Sequence, residues 1–575
     1  MAKLTPAIII LSLLTLFVAG QDSAIQFPGD SNTEECHICS SSSQLQEPVG
    51  SPYENYVDHV IARGINKLCL EINQKYQEIN KVDNTVFSPI NIAGALALLL
   101  LGSNGQTFHE LATVLGLATG LDIENNSERV HEHLGQIFRK IEQRPYSVGE
   151  DEQQINFANA IFVQDSFPIR KIYKETADSL YKFEIFNLNF ETEPVKAQKY
   201  VNAWVSDRTV GKIKEILSEP PLPSTKIILA SAMYFKAKWE VPFLGEGVTQ
   251  RRPFYPNGRK SPSEFEVEMM GVGGEFPHFK DNKLGCEILG LPYKGNKTVF
   301  YIIMPFESSV QKLKEFEDRI TAADLESLAD KAIYKKALVS FPKMTLESTL
   351  NMKSVLTKLN ITNLFNPAQA NLGLMSAGPA NIPFKRFPHE ESEINPLTPH
   401  QDNPNDVIIF NRFGNPVNCS SIFDKSNNIT TCEDTVVDAK GEHKVIYKKF
   451  GNKIGRRIAR SISNEKTFKK SSKAFSNSRD TIDNLRHLIN KQSADNNYLN
   501  PGLYADKVIH KVYLQVTEAG TEAAATTIVA LPRSYSSLGF RVDVPFLFFM
   551  RHEITKTILF WGSVEKPTPY FKADS

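Results

Sequence analysis

His552 opens the string HEITK, and a histidine followed by glutamate is how the helix of a zinc protease begins, with a second histidine four residues on. Lys556 stands at that place instead, so no water is set up for activation by a metal. No G-x-S-x-G elbow and no phosphate-binding loop occurs, so the chain offers neither a nucleophile on a strained turn nor a nucleotide cradle. Cys36 and Cys39 form a C-x-x-C pair without a second ligand pair, which favours disulfide chemistry over zinc. Cys419 and Cys432 bracket a short polar segment and form a candidate disulfide, a closure worth about 3 kcal/mol in the chain-entropy account. Cys69 and Cys286 read as buried free thiols. Asn125, Asn296, Asn360, Asn418 and Asn428 each open an Asn-x-Ser/Thr acceptor for glycan. None of this makes an enzyme, and no cofactor or metal is expected. The remaining chemistry lies in TEAGTEAAATTIVALPRSYSS (Thr517–Ser537), which carries small and β-branched residues and one arginine, Arg533.

That stretch lies between two strands. Before it, KVIHKVYLQV alternates and is rich in β-branched residues; after it, FRVDVPFLFFM is strand-like, with Pro545 marking a bend or an edge. A hairpin would need far fewer residues and an Asn-Gly or Asp-Gly turn. The connecting segment could itself enter a sheet. Elsewhere, helical periodicity starts near Tyr56, INIAGALALLLLGS is nearly apolar on all sides and so expected to be buried, and QTFHELATVLGL is a third helix. INFANAIFVQDSF, KIILASAMYFKAKW and KTVFYIIMPF read as strands, and VNAWVSDRTVGKIKEIL as a helix ending in a turn at Gly211. The pattern is α+β with long strands.

At the N-terminus, residues 1–20 place Lys3 ahead of a short apolar run ending in small residues, the form of a secretory signal peptide. A polar leader follows over 21–52. Lysines plus arginines equal aspartates plus glutamates at 65 each, so overall charge indicates no nucleic-acid partner. The texture changes over 376–502, where prolines punctuate polar sequence and a basic run follows. Between Lys440 and Lys491, 15 Lys/Arg stand against 4 Asp/Glu. This insertion is expected to be largely disordered, apart from an amphipathic helix at TIDNLRHLINKQ. RRIAR (Arg456–Arg460) contains the minimal R-x-x-R pattern for convertase processing.

GTEAAATT followed by an apolar and then a basic residue resembles the reactive-loop hinge of the serpin family. NTVFSPINIAGALALLLLGSNGQT resembles that family's helix B, VNAWVSDRTVGKIKEIL its helix F, and ILASAMYFKAKWEVPF its breach strand with Trp239. LPYKG, FPKMTLESTLNMKSVLTKLNITNLF, IHKVYLQVTEAGTEAAA and VDVPFLFFMRHEITKTILFWGSVEKP follow in family order. The resemblance covers nearly the whole family domain, placed here over 53–375 and 503–575. It implies about nine helices around three β-sheets, with a large mixed central sheet and an exposed reactive-centre loop. It also implies a secreted, monomeric suicide-substrate inhibitor of a trypsin-like serine protease, set in an extracellular cascade of the coagulation or melanisation type. The alternative it leaves is a non-inhibitory carrier or chaperone.

Serpin inhibition requires the cleaved loop to insert into the central sheet, so every second side chain must fit beneath it. Thr521, Ala523, Ala525, Thr527 and Val529 share one face, which is small and uncharged. Glu522, Ala524, Thr526 and Ile528 take the other, and Gly520 stands where the backbone pivots. Family spacing puts the scissile bond at Ser534–Tyr535, whereas the chemistry of a cation-binding pocket favours Arg533–Ser534, which is adopted here. In the shutter, Ser88-Pro89-Ile90-Asn91 ends in Asn where the family has Ser, and Ser231 stands where it has Asn. The two changes read as an exchange that keeps a hydrogen-bonded cluster near His510. The insertion maps to the pole opposite the loop, and its basic run suits glycosaminoglycan or another acidic surface.

Overall fold

The helix Pro89–Gly102 shows how directly this sequence sets its elements. Ser88 caps it, its side chain accepting from the Asn91 N–H, and Pro89 occupies the first turn, where no amide donor is needed. Every residue in it is buried. Gly94 lets two rings close in, since a Cβ there would lie 2.5 Å from Phe138. A computed structural model describes residues 52–80, 83–117, 127–142, 153–263, 265–379, 501–521 and 538–572. It also describes strand backbone at 409–410, 416–417, 422–424, 429–438, 441–450 and 453–457. Nine α-helices fall among the described residues.

The central sheet contains β2 (Gln154–Gln164), β3 (Glu184–Leu188), β4 (Ile227–Lys238), β10 (Met344–Asn351), β17 (Ala505–Val516) and the two-residue β18 (Gly520–Thr521). Their order is β10-β17-β18-β4-β2-β3. It is mixed, because β17 runs parallel to β4 and β2 to β3 while the other pairs are antiparallel. β4 is buried from Ile227 to Phe235 because both of its faces are covered there. Leu229, Met233 and Phe235 enter the main core, while Ile228, Ala230 and Ala232 join Phe162, Trp204 and Ile216 beneath the helix Pro194–Arg208.

A ten-stranded network holds β1 (Asn84–Phe87), β5 (Gln250–Phe254), β6 (Phe265–Asp281), β7 (Cys286–Pro292), β8 (Thr298–Pro305) and β9 (Ile333–Pro342). It is completed by β19 (Leu538–Arg541), β20 (Phe546–His552), β21 (Thr557–Val564) and β22 (Tyr570–Lys572). The long β6 pairs with β7 at one end, β9 along its middle and β5 at the other. The two smaller sheets expected beside the central one are therefore joined through a shared strand. The bend expected at Pro545 is a break between β19 and β20.

The insertion departs from expectation. β11 (Ile409–Phe410) pairs with β12 (Pro416–Val417), and β13 (Ile422–Asp424), β14 (Ile429–Asp438), β15 (Gly441–Phe450) and β16 (Lys453–Arg457) form a four-stranded antiparallel sheet. The expectation of little regular structure is corrected over these residues. ITTCEDTVVD and GEHKVIYKKF carry the β-branched and aromatic residues of strands, and Gly-Asn at 451–452 is a residue pair whose type favours a hairpin connection. The helix expected at 481–492, the signal peptide, and the leader apart from Pro52 lie outside the described residues. The insertion rejoins the domain at the Ala505 end of β17, about 37 Å of strand from Val516, beside which β18 enters. Among the described residues no helix is long and apolar enough to cross a membrane.

Candidate functional site: the opening in the central sheet

β17 and β4 pair directly from Ala505↔Ile227 to Val512↔Met233. Beyond that point they part, and β18 enters between them, Thr521 opposite both Val516 and Ala237, and Gly520 opposite Lys238. The sheet is thus open at one end, and the chain that occupies the opening leads straight into the loop. A tight turn brings it there. The Thr517 N–H donates to the Gly520 carbonyl at 2.9 Å, the Thr517 hydroxyl to the same oxygen at 2.7 Å, and the Gly520 N–H to the Thr517 carbonyl at 3.3 Å. Gly520 has φ +150°, and a Cβ would lie 2.1 Å from the Ala237 carbonyl oxygen, so only glycine passes so close.

Aromatic and charged side chains hold this turn. Trp239 stacks on Tyr293 with centroids 4.4 Å apart, and its indole N–H donates to the Thr517 carbonyl at 3.0 Å. The Tyr293 and Thr521 hydroxyls are hydrogen-bonded at 2.8 Å in a buried setting. Thr521, the first residue of the small face, is therefore already seated in the sheet. Glu518 accepts from the Thr249 hydroxyl at 2.7 Å and pairs with Lys343 at 3.2 Å. The Trp239 and Phe243 N–H groups donate to the carbonyls of Ala519 and Glu518.

At the closed end sits a second buried cluster. His510 and Ser231 face each other across the β17–β4 pair. The Ser88 N–H donates to His510 Nε2 at 2.9 Å, so the ring proton is on Nδ1, 3.0 Å from Ser231 Oγ. Burial pushes this imidazole down to about 3, leaving it neutral. Asn91 Nδ2 donates to Ser231 Oγ at 3.0 Å and to the Ala232 carbonyl at 2.7 Å, while its Oδ1 accepts from Asn159 at 2.7 Å. The Ser88 hydroxyl lies 2.9 Å from the Met233 sulfur. Ser and Asn are in contact with their places exchanged. Extending β18 past Thr521 must part His510 from Ser231, so this cluster lies directly in the path of an inserting strand.

Trp239, Ser88, Asn91, Ser231, His510, Gly520 and Thr521 thus lie at the opening or across its closed end. Glu522 to Thr527, Arg533, Ser534 and Tyr535 lie outside the described residues, as do Asn125, Asn418, Asn428 and Cys419. The backbone alone is described at Cys432. Asn296 and Asn360 are exposed in turns, each at positive φ. Cys69 and Cys286 are buried free thiols, and burial raises the Cys286 pKa to about 12. The sequence reading gave no role to Tyr293, Lys343, Thr249 or Asn159. Asn159 carried a visible signal, a polar residue inside the apolar run ANAIF; the others find partners only through the fold.

The Serpin (serine protease inhibitor) family model matches residues 63–391 and 472–567, and the chain belongs to that family. The fruit fly Drosophila melanogaster has a relative, Serine protease inhibitor 28Dc, 28% identical over 94% of this chain and 86% of its own length. Intracellular coagulation inhibitor 1 of Tachypleus tridentatus is 30% identical over 52% of this chain and 68% of its own. Among solved structures, Serpin48 of the insect Tenebrio molitor superposes with a TM-score of 0.57 at 20% identity, covering 88% of this chain and 98% of its own. Human thyroxine-binding globulin, complexed with thyroxine, gives 0.60 at 16% identity, covering 89% of this chain and all of its own. At those identities the structural likeness establishes the fold.

Proposed function

We propose that the protein is a secreted inhibitor of a trypsin-like serine protease, with Arg533–Ser534 as the bond presented. The observation carrying this is Thr521, first residue of an uncharged alternating face, seated in an opening between β17 and β4. The protease serine oxygen attacks the Arg533 carbonyl carbon, the Arg533–Ser534 bond breaks, and the new Ser534 amine leaves with the serine's proton. The ester-linked protease is carried along as the loop enters the sheet. Thr521 to Arg533 extended spans roughly 40 Å, enough to cross the domain. Insertion exchanges one parallel β17–β4 ladder for two antiparallel ones, a gain on the order of ten kcal/mol at about 1 kcal/mol per added hydrogen bond. The native loop is then held kinetically.

The signal-like 1–20 segment supports secretion, and inhibitory relatives such as the Tachypleus coagulation inhibitor support a role in a coagulation- or melanisation-type cascade. The basic insertion is a second contact, for glycosaminoglycan, and Cys419–Cys432 a disulfide within it. The test incubates the secreted protein with trypsin, elastase and chymotrypsin, read by denaturing gel and mass spectrometry. A protease-sized covalent adduct releasing a peptide that starts at Ser534 is the expected result. A peptide starting at Tyr535 keeps inhibition and moves the bond. Cleavage without adduct and without gain in heat stability overturns inhibition and leaves a carrier, as the thyroxine complex of the human globulin illustrates for this fold.

A further inference from the structure

The seam between β17 and β4 closes the central sheet, and its far end is built differently from the rest. On β17 the paired stretch runs from Ala505 to Val512 and on β4 from Ile227 to Met233, with Asp506 left over between Ala505 and Lys507. A bulge of this kind is rare between parallel strands. The side chain of the extra residue takes the place of a ladder acceptor. The Lys226 N–H donates to Asp506 Oδ2 at 2.5 Å, and the Ile227 N–H and the Tyr504 hydroxyl reach the same carboxylate. Lys353 is a cation acting on it.

Each partner is fixed to its own half of the sheet. The Lys226 carbonyl accepts from the Gln164 N–H of β2 at 2.9 Å, and Leu503 and Ala505 beside Asp506 are wholly buried. The carboxylate therefore spans the seam, joining the β4–β2 half to the β10–β17 half. A main-chain acceptor could let go only by moving its strand, whereas a carboxylate lets go by turning about its own side-chain bonds.

The register of β18 says what would arrive there. Thr521 stands opposite Val516 on one side and Ala237 on the other, both pairs antiparallel. Ten residues further in the same register, Leu531 falls opposite Asp506 and Ile227 together. A fully inserting loop thus brings Leu531 to the gap that this carboxylate now spans, and Arg533, which would carry the protease, lies two residues beyond. Unless Asp506 parts from Lys226, the loop stops short of the end of β4. We propose that Asp506 is a positioning residue for inhibition, a side-chain clamp that holds the far end of the seam shut in the uncut protein and is released when the loop inserts fully.

The inference rests on the inhibitory reading and assigns it a control point. Uncut and loop-cut forms of wild type, D506A, D506S and D506N are compared by thermal melt, with the cut confirmed by mass spectrometry. D506A removes the acceptor and D506S leaves a hydroxyl short of the carboxylate's reach, so the readout survives if one of them does not fold. Uncut D506A and D506S are expected to melt about 2–4 °C below uncut wild type. Their cut forms are expected to melt level with cut wild type, because the clamp is absent from the inserted state. D506N keeps an acceptor oxygen and is expected to match wild type in both forms. Held below its melting range, uncut D506A is expected to lose its capacity to trap trypsin at least threefold faster than wild type, without cleavage. Equal lowering of cut and uncut forms would make Asp506 a merely structural residue and overturn the clamp, as would no change in the uncut form. Wild type that forms no adduct with trypsin and gains no heat stability on cutting overturns the inhibitory reading, and the clamp with it.

Discussion

Asn91 and Ser231 test at single-residue resolution whether the shutter is one cooperative unit. Their contact at 3.0 Å, with Asn159, Ala232 and His510 filling the remaining bonds, means either substitution alone leaves buried polar atoms unpaired. N91S and S231N singly are each expected to cost about 1–3 kcal/mol, whereas the double exchange recovers most of the loss. Denaturant unfolding of the four proteins measures the cycle, and additive losses would show that the two sites do not act as a pair. Titration adds a second residue-scale expectation. His510 has its pKa lowered from 6.5 to about 3, so its neutral form supports the fold fully above about pH 6.5. That support drains away as pH falls from there toward 3, where the unfolded chain binds the proton and the folded one does not. Glu317 runs the opposite way. Burial lifts it to about 7, against hydrogen bonds from Asn73 and Gln77, so its contribution is complete below about pH 4.5 and is lost as pH rises through 7. E317Q is expected to flatten the pH dependence between 5 and 8 and leave the acid limb to His510. Thermal midpoints across pH 4–8 measure both, and an unchanged profile in E317Q would count against the buried carboxylate as its source.

At the scale of elements, the hinge makes the most demanding prediction, because its two faces should tolerate change unequally. A525R places a guanidinium on the face that must go beneath the sheet, where an unpaired charge costs several kcal/mol. The loop is then expected to be cleaved without trapping the enzyme, and the stoichiometry of inhibition to rise severalfold. A524R, on the opposite face, is expected to change it much less. Equal effects from both would mean that insertion does not follow the alternation. That alternation is a local property of the sequence, and of the hinge the structure describes Gly520 and Thr521 alone. The strands β2, β4, β8 and β17 and the wholly buried helix Pro89–Gly102 were legible for the same reason, each being a pattern of one segment. Tyr293 on Thr521 and Lys343 on Glu518 were not, since each joins residues more than 170 positions apart and their own neighbourhoods carry no mark of it. The strands β13 to β16 were missed for another reason. Their alternation lies inside a segment whose net charge and flanking prolines point toward disorder.

For the whole molecule, the proposed inhibition requires a state in which the most favourable arrangement of the central sheet has not been reached. Two residues of β18 fill an opening, and the β17–β4 pairing below it keeps the rest out. Cutting the loop releases one end of the segment after Thr521, and its entry requires β17 to part from β4 beneath the helix Pro194–Arg208. If insertion follows, the His510–Ser231 contact is broken and both strands exchange a parallel partner for an antiparallel one along their length. With a gain on the order of ten kcal/mol and about 2 °C per kcal/mol for a domain of this size, the unfolding midpoint should rise on the order of 20 °C. The measurement is a thermal melt before and after limited trypsin cleavage, with the cut confirmed by mass spectrometry to lie between Thr527 and Ser537. W239A supplies the control: Trp239 holds Thr517 and stacks on Tyr293 in the uncut state, so its loss should lower the native midpoint. The native form of that variant should also insert its loop sooner on warming. A cut protein melting where the intact one does would mean that the opening is not a trap, and the inhibitory mechanism would fall with it.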